Sequence, residues 1–107
     1  MWLMTTYGFF SIVRKGEQEF HVRARVKADL ERLRAAAGLT EPVITTRPAD
    51  YRYRLVVGQD GIRRIMAILA RSITYPNFKE QVGRQPDQKD KLPAYHRIWE
   101  IMDRLQS

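Results

Sequence analysis

The chain has 107 residues, a formal net charge of +7 and no cysteine. A chain of that length suits one domain, residues 1–107, large enough to bury a core without covalent staples. Without cysteine, disulfides and thiolate metal sites are excluded, and cytoplasmic residence is the default expectation. The apolar fraction of 44% is that of a globular chain rather than a disordered one.

The opening, Met1 to Val13, carries no charge. It lacks the basic start and the small-residue cleavage site of a signal peptide. Thirteen residues are also too few to span a bilayer, which takes about 20. The run therefore predicts a buried strand over about Leu3 to Val13, rich in aromatic and β-branched residues. Gly8 interrupts it and marks a bulge or a close backbone approach. Because this strand is apolar on both sides, it needs cover on both, and a homodimer through the N-terminal strand would supply it. Trp2, Phe9, Phe10 and Trp99 are expected in the core, since large aromatics dominate burial in small domains.

Arg14 to Gln18 reads as a hairpin loop. Phe20-His21-Val22-Arg23-Ala24-Arg25-Val26 follows and alternates apolar with basic residues. Tyr51-Arg52-Tyr53-Arg54-Leu55-Val56-Val57 does the same. Period-two alternation marks a half-buried strand, because successive side chains point to opposite faces. In one sheet, Phe20, Val22, Ala24, Val26, Tyr51, Tyr53, Leu55 and Val57 would face inward. His21, Arg23, Arg25, Arg52 and Arg54 would stand together on the outer face.

Between these strands, Asp29 to Ala37 predicts a helix with Asp29 as its cap and Gly38 as its stop. Val43 to Thr46 is a candidate short strand, and Arg47 to Asp50 is turn chemistry. After Gly58, the residues Ile62, Ile65, Met66, Leu69 and Ile73 recur at helical spacing, with Gln59 or Asp60 near the cap and Arg63, Arg64 and Arg71 on the polar side. Asn77 to Val82 predicts a short helical turn capped by Asn77. A last helix starts near Pro93, which suits a first turn, with Tyr95, Ile98, Trp99, Met102 and Leu105 as its stripe. The order β-β-α-(β)-β-α-α defines an α+β domain: a three- or four-stranded antiparallel sheet with helices packed on one face.

Charge is uneven along the chain. Residues 14–71 hold 13 Lys/Arg against 7 Asp/Glu, and residues 72–107 hold 6 against 5. Basicity thus sits with the sheet and its first helices, and favours anionic partners.

Catalytic and metal chemistry find little support. His21 and His96 belong to different elements, and no ligand spacing surrounds either. No phosphate-cradling glycine motif is present, since Gly58 and Gly61 lack the spacing and the lysine. The expectation is no catalytic residue, no metal and no cofactor.

Met1-Trp2-Leu3, Thr6 and Gly8-Phe9-Phe10-Ser11-Ile12-Val13 resemble the opening of a family of small uncharacterised bacterial proteins. Asp50-Tyr51-Arg52-Tyr53-Arg54, Tyr75-Pro76-Asn77-Phe78-Lys79, and Tyr95 with Trp99 resemble its recurring words further along. The resemblance implies a bacterial, cytoplasmic, single-domain protein. It lends no catalytic residue, because no activity is established for that family.

The leading expectation is a non-catalytic protein that contacts nucleic acid, RNA or DNA, through its phosphates. Arg23, Arg25, Arg52 and Arg54 would make the contacts, with His21, Arg63 and Arg64 flanking. Arginine offers a planar fork suited to phosphate. With Tyr51 and Tyr53 on the opposite face, such a surface would lack stacking platforms, unless Gly8 brings Tyr7 or Phe9 outward. That favours backbone contact over sequence readout. The alternative is a homodimeric interaction module, or an inhibitor encoded by a mobile element, that acts on an acidic protein surface. A further alternative is a metal-independent ribonuclease using His21 and the same arginines. No membrane partner is expected.

Overall fold

A computed structural model describes residues 1–106. It gives the α+β architecture that the patterning predicts, with one antiparallel sheet and four α-helices. The strands are β1 (Trp2–Thr5), β2 (Gly8–Gly16), β3 (Glu19–Ala24), β4 (Ile44–Thr45) and β5 (Tyr53–Val57). The helices are α1 (Lys27–Ala36), α2 (Gln59–Arg71), α3 (Phe78–Arg84) and α4 (Leu92–Asp103), with a short 3-10 turn at Lys89–Lys91. Spatial order in the sheet is β1-β2-β3-β5-β4.

Five strands stand where three or four were expected. The single long strand over Leu3 to Val13 is in fact a hairpin, β1 and β2, folded at Thr6-Tyr7. A threonine hydroxyl makes that fold. Thr5 Oγ1 accepts from the backbone N–H of Tyr7 and of Gly8, each at 3.1 Å, and donates to the carbonyl of Gly8 at 2.8 Å. Gly8 takes a φ of 142°, and a Cβ there would lie 2.6 Å from Asp29 Cγ. Only glycine fits both the backbone and the neighbour.

The core lies on one face of the sheet. Phe10, Ile12, Val22, Ala24, Leu55 and Val57 meet Leu30, Leu33 and Ala37 of the α1 segment and Ile65 and Leu69 of α2. Each fully buried aliphatic side chain stabilises by about 1.5–3 kcal/mol relative to exposure. Gly61 lets α2 approach closely, because a Cβ there would come within 2.7 Å of Val57 Cβ.

Helix boundaries follow local chemistry. α1 begins one turn earlier than expected: Val26 is its N-cap, and Asp29 is buried in the first turn, paired with Arg32. An anion there also favours the helix dipole. At the other end Gly38, with a φ of 66°, completes a 6→1 and 5→2 cap. Its N–H donates to Ala35 at 3.1 Å, and the Leu39 N–H donates to Arg34 at 3.1 Å. α2 has no side-chain cap of its own. Gln18, from the β2–β3 turn, accepts from the Gln59 N–H at 3.1 Å instead of Gln59 or Asp60 capping the helix.

The chain divides into two compact units, the first Met1–Ile73 and the second from Thr74 onward. The second holds α3, the 3-10 turn and α4. Asn77 caps α3 as predicted, its side chain accepting from the Glu80 N–H at 3.0 Å. The ring of Phe78 lies 5.9 Å from that of Tyr75 and 5.7 Å from that of Tyr95. Val82 and Tyr95 are buried, and Pro93 sits in the first turn of α4. Among the described residues no helix is long and apolar enough to cross a membrane.

Candidate functional site

The outer face of the sheet is built by strand parity. Ile12, Val22 and Leu55 point to the core, so Ser11, Arg23 and Arg54 point away from it. One row of facing residues crosses all five strands: Trp2, Ser11, Arg23, Arg54 and Ile44. The next row brings Val13, His21 and Val56 together.

Arg23 and Arg54 share the outer face, as the alternation predicts, and the register makes them direct cross-strand partners. Both are half-buried, and the Nε of each is buried without a hydrogen bond. One terminal nitrogen of each has a side-chain partner. Arg23 Nη2 donates to Ser11 Oγ at 2.7 Å. Arg54 Nη1 lies 3.0 Å from His21 Nδ1. Arginine has no acceptor, so Nδ1 must present its lone pair to it. The ring proton then sits on Nε2, which donates to Glu19 Oε2 at 2.8 Å. That arrangement wedges the imidazole between a guanidinium and a carboxylate, and its side chain is only 12% exposed.

Arg25 and Arg52 lie just outside the strands and are exposed. Arg25 pairs with Asp50 at 3.5 Å, both largely in water, so the pair adds little stability. Tyr51 was expected inward; it is buried, at 5% exposure, but outside the core cluster. It precedes β5, so the strand's alternation does not govern it. Its ring instead lies against the guanidinium carbons of Arg23 at 4.8 Å and Arg25 at 4.1 Å. Such stacking orders the two arginines without neutralising them.

Arg63 and Arg64 do not join this cluster. Both are exposed on α2, which covers the opposite face of the sheet. Arg64 pairs with Asp60 at 3.1 Å and lines a polar cleft with Gln18, Gly58 and Thr40.

The outer face also carries aromatic residues that strand pairing, rather than local sequence, places there. Trp2 faces Ser11 and Met4 faces Phe9 across β1 and β2. The rings of Trp2 and Phe9 meet edge-on with centroids 6.1 Å apart. Trp2 was expected in the core but is 75% exposed on β1, an edge strand of the sheet. Phe9 is half-buried, while Phe10 is fully buried as expected. Tyr7 packs at the core and not on this face.

His96, in the second unit, repeats the pattern of His21. Its Nδ1 lies 3.3 Å from Lys79 Nζ, and its Nε2 lies 3.0 Å from Glu100. Trp99 was also expected in the core. Instead it is half-exposed, stacked on His96 at 5.6 Å and capped by Lys79 at 4.6 Å. Among the described residues no group of three or more His, Asp or Glu is placed to hold a metal ion.

Comparisons with protein-family models, with curated proteins and with solved structures returned no match. The site is therefore defined by its geometry alone.

Proposed function

We propose that this chain binds nucleic acid through phosphate contacts on the outer sheet face, with Arg23 and Arg54 at the centre and His21, Arg25 and Arg52 around them. The observation that carries the reading is the Arg23–Arg54 pairing. Like charges directly opposite in a sheet are destabilising. Among the described residues no carboxylate ion-pairs with either. A phosphate between them would relieve the repulsion and accept from both forks. A local conflict with stability is what a binding site produces. Arg63 and Arg64 fall outside this site. The test is the salt dependence of oligonucleotide binding by the wild type and by an Arg23→Ala/Arg54→Ala variant.

A second reading, a homodimeric or protein-interaction module, draws on a different observation. Trp2 is 75% exposed on β1, which stands at the edge of the sheet, where a further strand could pair. Ile98, Ile101, Met102 and Leu105 of the α4 segment are exposed as well. Light scattering across a concentration series tests it. The ribonuclease alternative has less support, because both ring nitrogens of His21 already have partners.

A further inference from the structure

We infer that the ligand of this face is single-stranded nucleic acid, with Trp2 supplying a stacking platform for a base and Arg23 and Arg54 holding the adjoining backbone. The inference rests on the phosphate-binding reading above and adds the substrate class.

Three features of the face converge on it. First, Trp2 and the arginines share one row: Trp2 faces Ser11, Ser11 faces Arg23 and Arg23 faces Arg54. Strands in a sheet lie about 4.8 Å apart, so Trp2 stands roughly 10 Å from Arg23 along that row. That is the reach of a base and the phosphates beside it, not of a second site. Second, Trp2 is both exposed and oriented. It is 75% open to solvent, yet its indole rests edge-on against Phe9 at 6.1 Å. An aromatic ring held this way offers a free π-face at small cost in side-chain entropy. Third, Ser11 lies between the two halves and anchors one of them. It is 1% exposed, lies opposite Trp2 and accepts from Arg23 Nη2 at 2.7 Å. Ser11 thus holds the guanidinium of Arg23 one strand away from Trp2, whose ring rests on Phe9.

This combination selects for unpaired bases. In a duplex the base faces are stacked on each other and closed to an indole, whereas a single strand can splay a base onto it. The net charge of +7 and the paired arginines complement the backbone. Every base has a π-face, so the contact is tolerant of sequence.

The experiment uses the full chain and fluorescein-labelled oligonucleotides of about 15 nucleotides, within the span that single-strand binders cover. Poly-U RNA, poly-dT DNA and a mixed-sequence duplex are titrated at fixed salt. Trp2→Ala, Trp2→Phe and Arg23→Ala/Arg54→Ala are compared with the wild type. In a Trp99→Phe background, which leaves Trp2 as the sole tryptophan, indole emission is followed during titration. The expected results are tighter binding of the single strands than of the duplex, and a roughly tenfold loss of single-strand affinity in Trp2→Ala. Trp2→Phe should recover most of that loss, and Trp2 emission should be quenched on binding. RNA and DNA should both bind, since the base face and the phosphate are common to them.

Unchanged single-strand affinity in Trp2→Ala, with no quenching, would overturn the inference. If Arg23→Ala/Arg54→Ala still weakened binding in that case, the phosphate reading would stand without the stacking one. If neither set of variants altered binding, both would fall.

Discussion

Arg23 and Arg54 face each other across β3 and β5, with Ser11 and His21 as their hydrogen-bond partners and no carboxylate ion-paired with either among the described residues. Two guanidinium groups in this position repel, and each is held by one side-chain partner, Ser11 or His21. On the proposed reading, stability and binding make opposite demands on this pair, and that opposition can be measured.

The first prediction concerns stability. Arg54→Gln removes one charge but keeps a donor for His21. At low ionic strength the variant should be more stable than wild type by about 0.5 kcal/mol, the order of a cross-strand charge pair. The difference should shrink as salt screens the repulsion. Urea melts at two salt concentrations check it, and a variant less stable at low salt would count against the repulsion.

A second prediction concerns the β1–β2 hairpin. Gly8→Ala forces a Cβ toward Asp29 at a φ of 142°. Strain and overlap together should cost about 3 kcal/mol. Gly38→Ala, where a Cβ would meet nothing within 4 Å, carries only the left-handed backbone penalty of about 1 kcal/mol. Chemical denaturation of both variants gives the comparison, and equal losses would contradict it.

The core supplies a third. Leu55 is fully buried on β5 among residues of the sheet, α1 and α2. Leu55→Ala should destabilise by about 2–5 kcal/mol. Trp2→Ala, at an exposed site, should change stability by less than about 1 kcal/mol. A large loss in Trp2→Ala would mean that the indole is a structural rather than a binding residue.

The fourth concerns the second unit. Asn77 accepts from the Glu80 N–H at the start of α3. Asn77→Ala should weaken that helix by about 1 kcal/mol. Amide exchange within residues 78–84 reports it, and protection equal to wild type would contradict the cap.

Much of this was legible in the sequence. Period-two alternation placed Val22, Ala24, Leu55 and Val57 inward and His21, Arg23 and Arg54 outward, because β3 and the core of β5 are regular strands. Gly38 and Asn77 announced their caps, since those positions depend on local backbone chemistry. Tyr51 was misplaced because the alternating run continues two residues before the ladder begins at Tyr53. The turn at Thr6-Tyr7 was hidden because a Thr5 hydroxyl, rather than a run of polar turn residues, makes it. Trp2 and Trp99 were assigned to the core on size alone, whereas burial depends on what lies above a residue. Placing Trp2 and Phe9 on the arginine face required the β1–β2 register, which is a non-local fact. Ser11 was missed for the same reason, although a small polar residue between Phe10 and Ile12 marks the outward parity of that strand. Arg63 and Arg64 were grouped with the strand arginines by composition, and the packing of α2 puts them on the other layer.

The central claim is that Arg23 and Arg54 neutralise phosphates. Its most direct test is fluorescence anisotropy of a labelled single-stranded oligonucleotide, titrated with wild type and with Arg23→Ala/Arg54→Ala over a range of salt. The log of the wild-type affinity should fall linearly with the log of salt, and the double variant should show a slope shallower by about 1.4, two phosphate contacts at about 0.7 each. Its affinity at low salt should be lower roughly tenfold or more. A double variant that folds and yet matches the wild type in both affinity and slope would contradict the account.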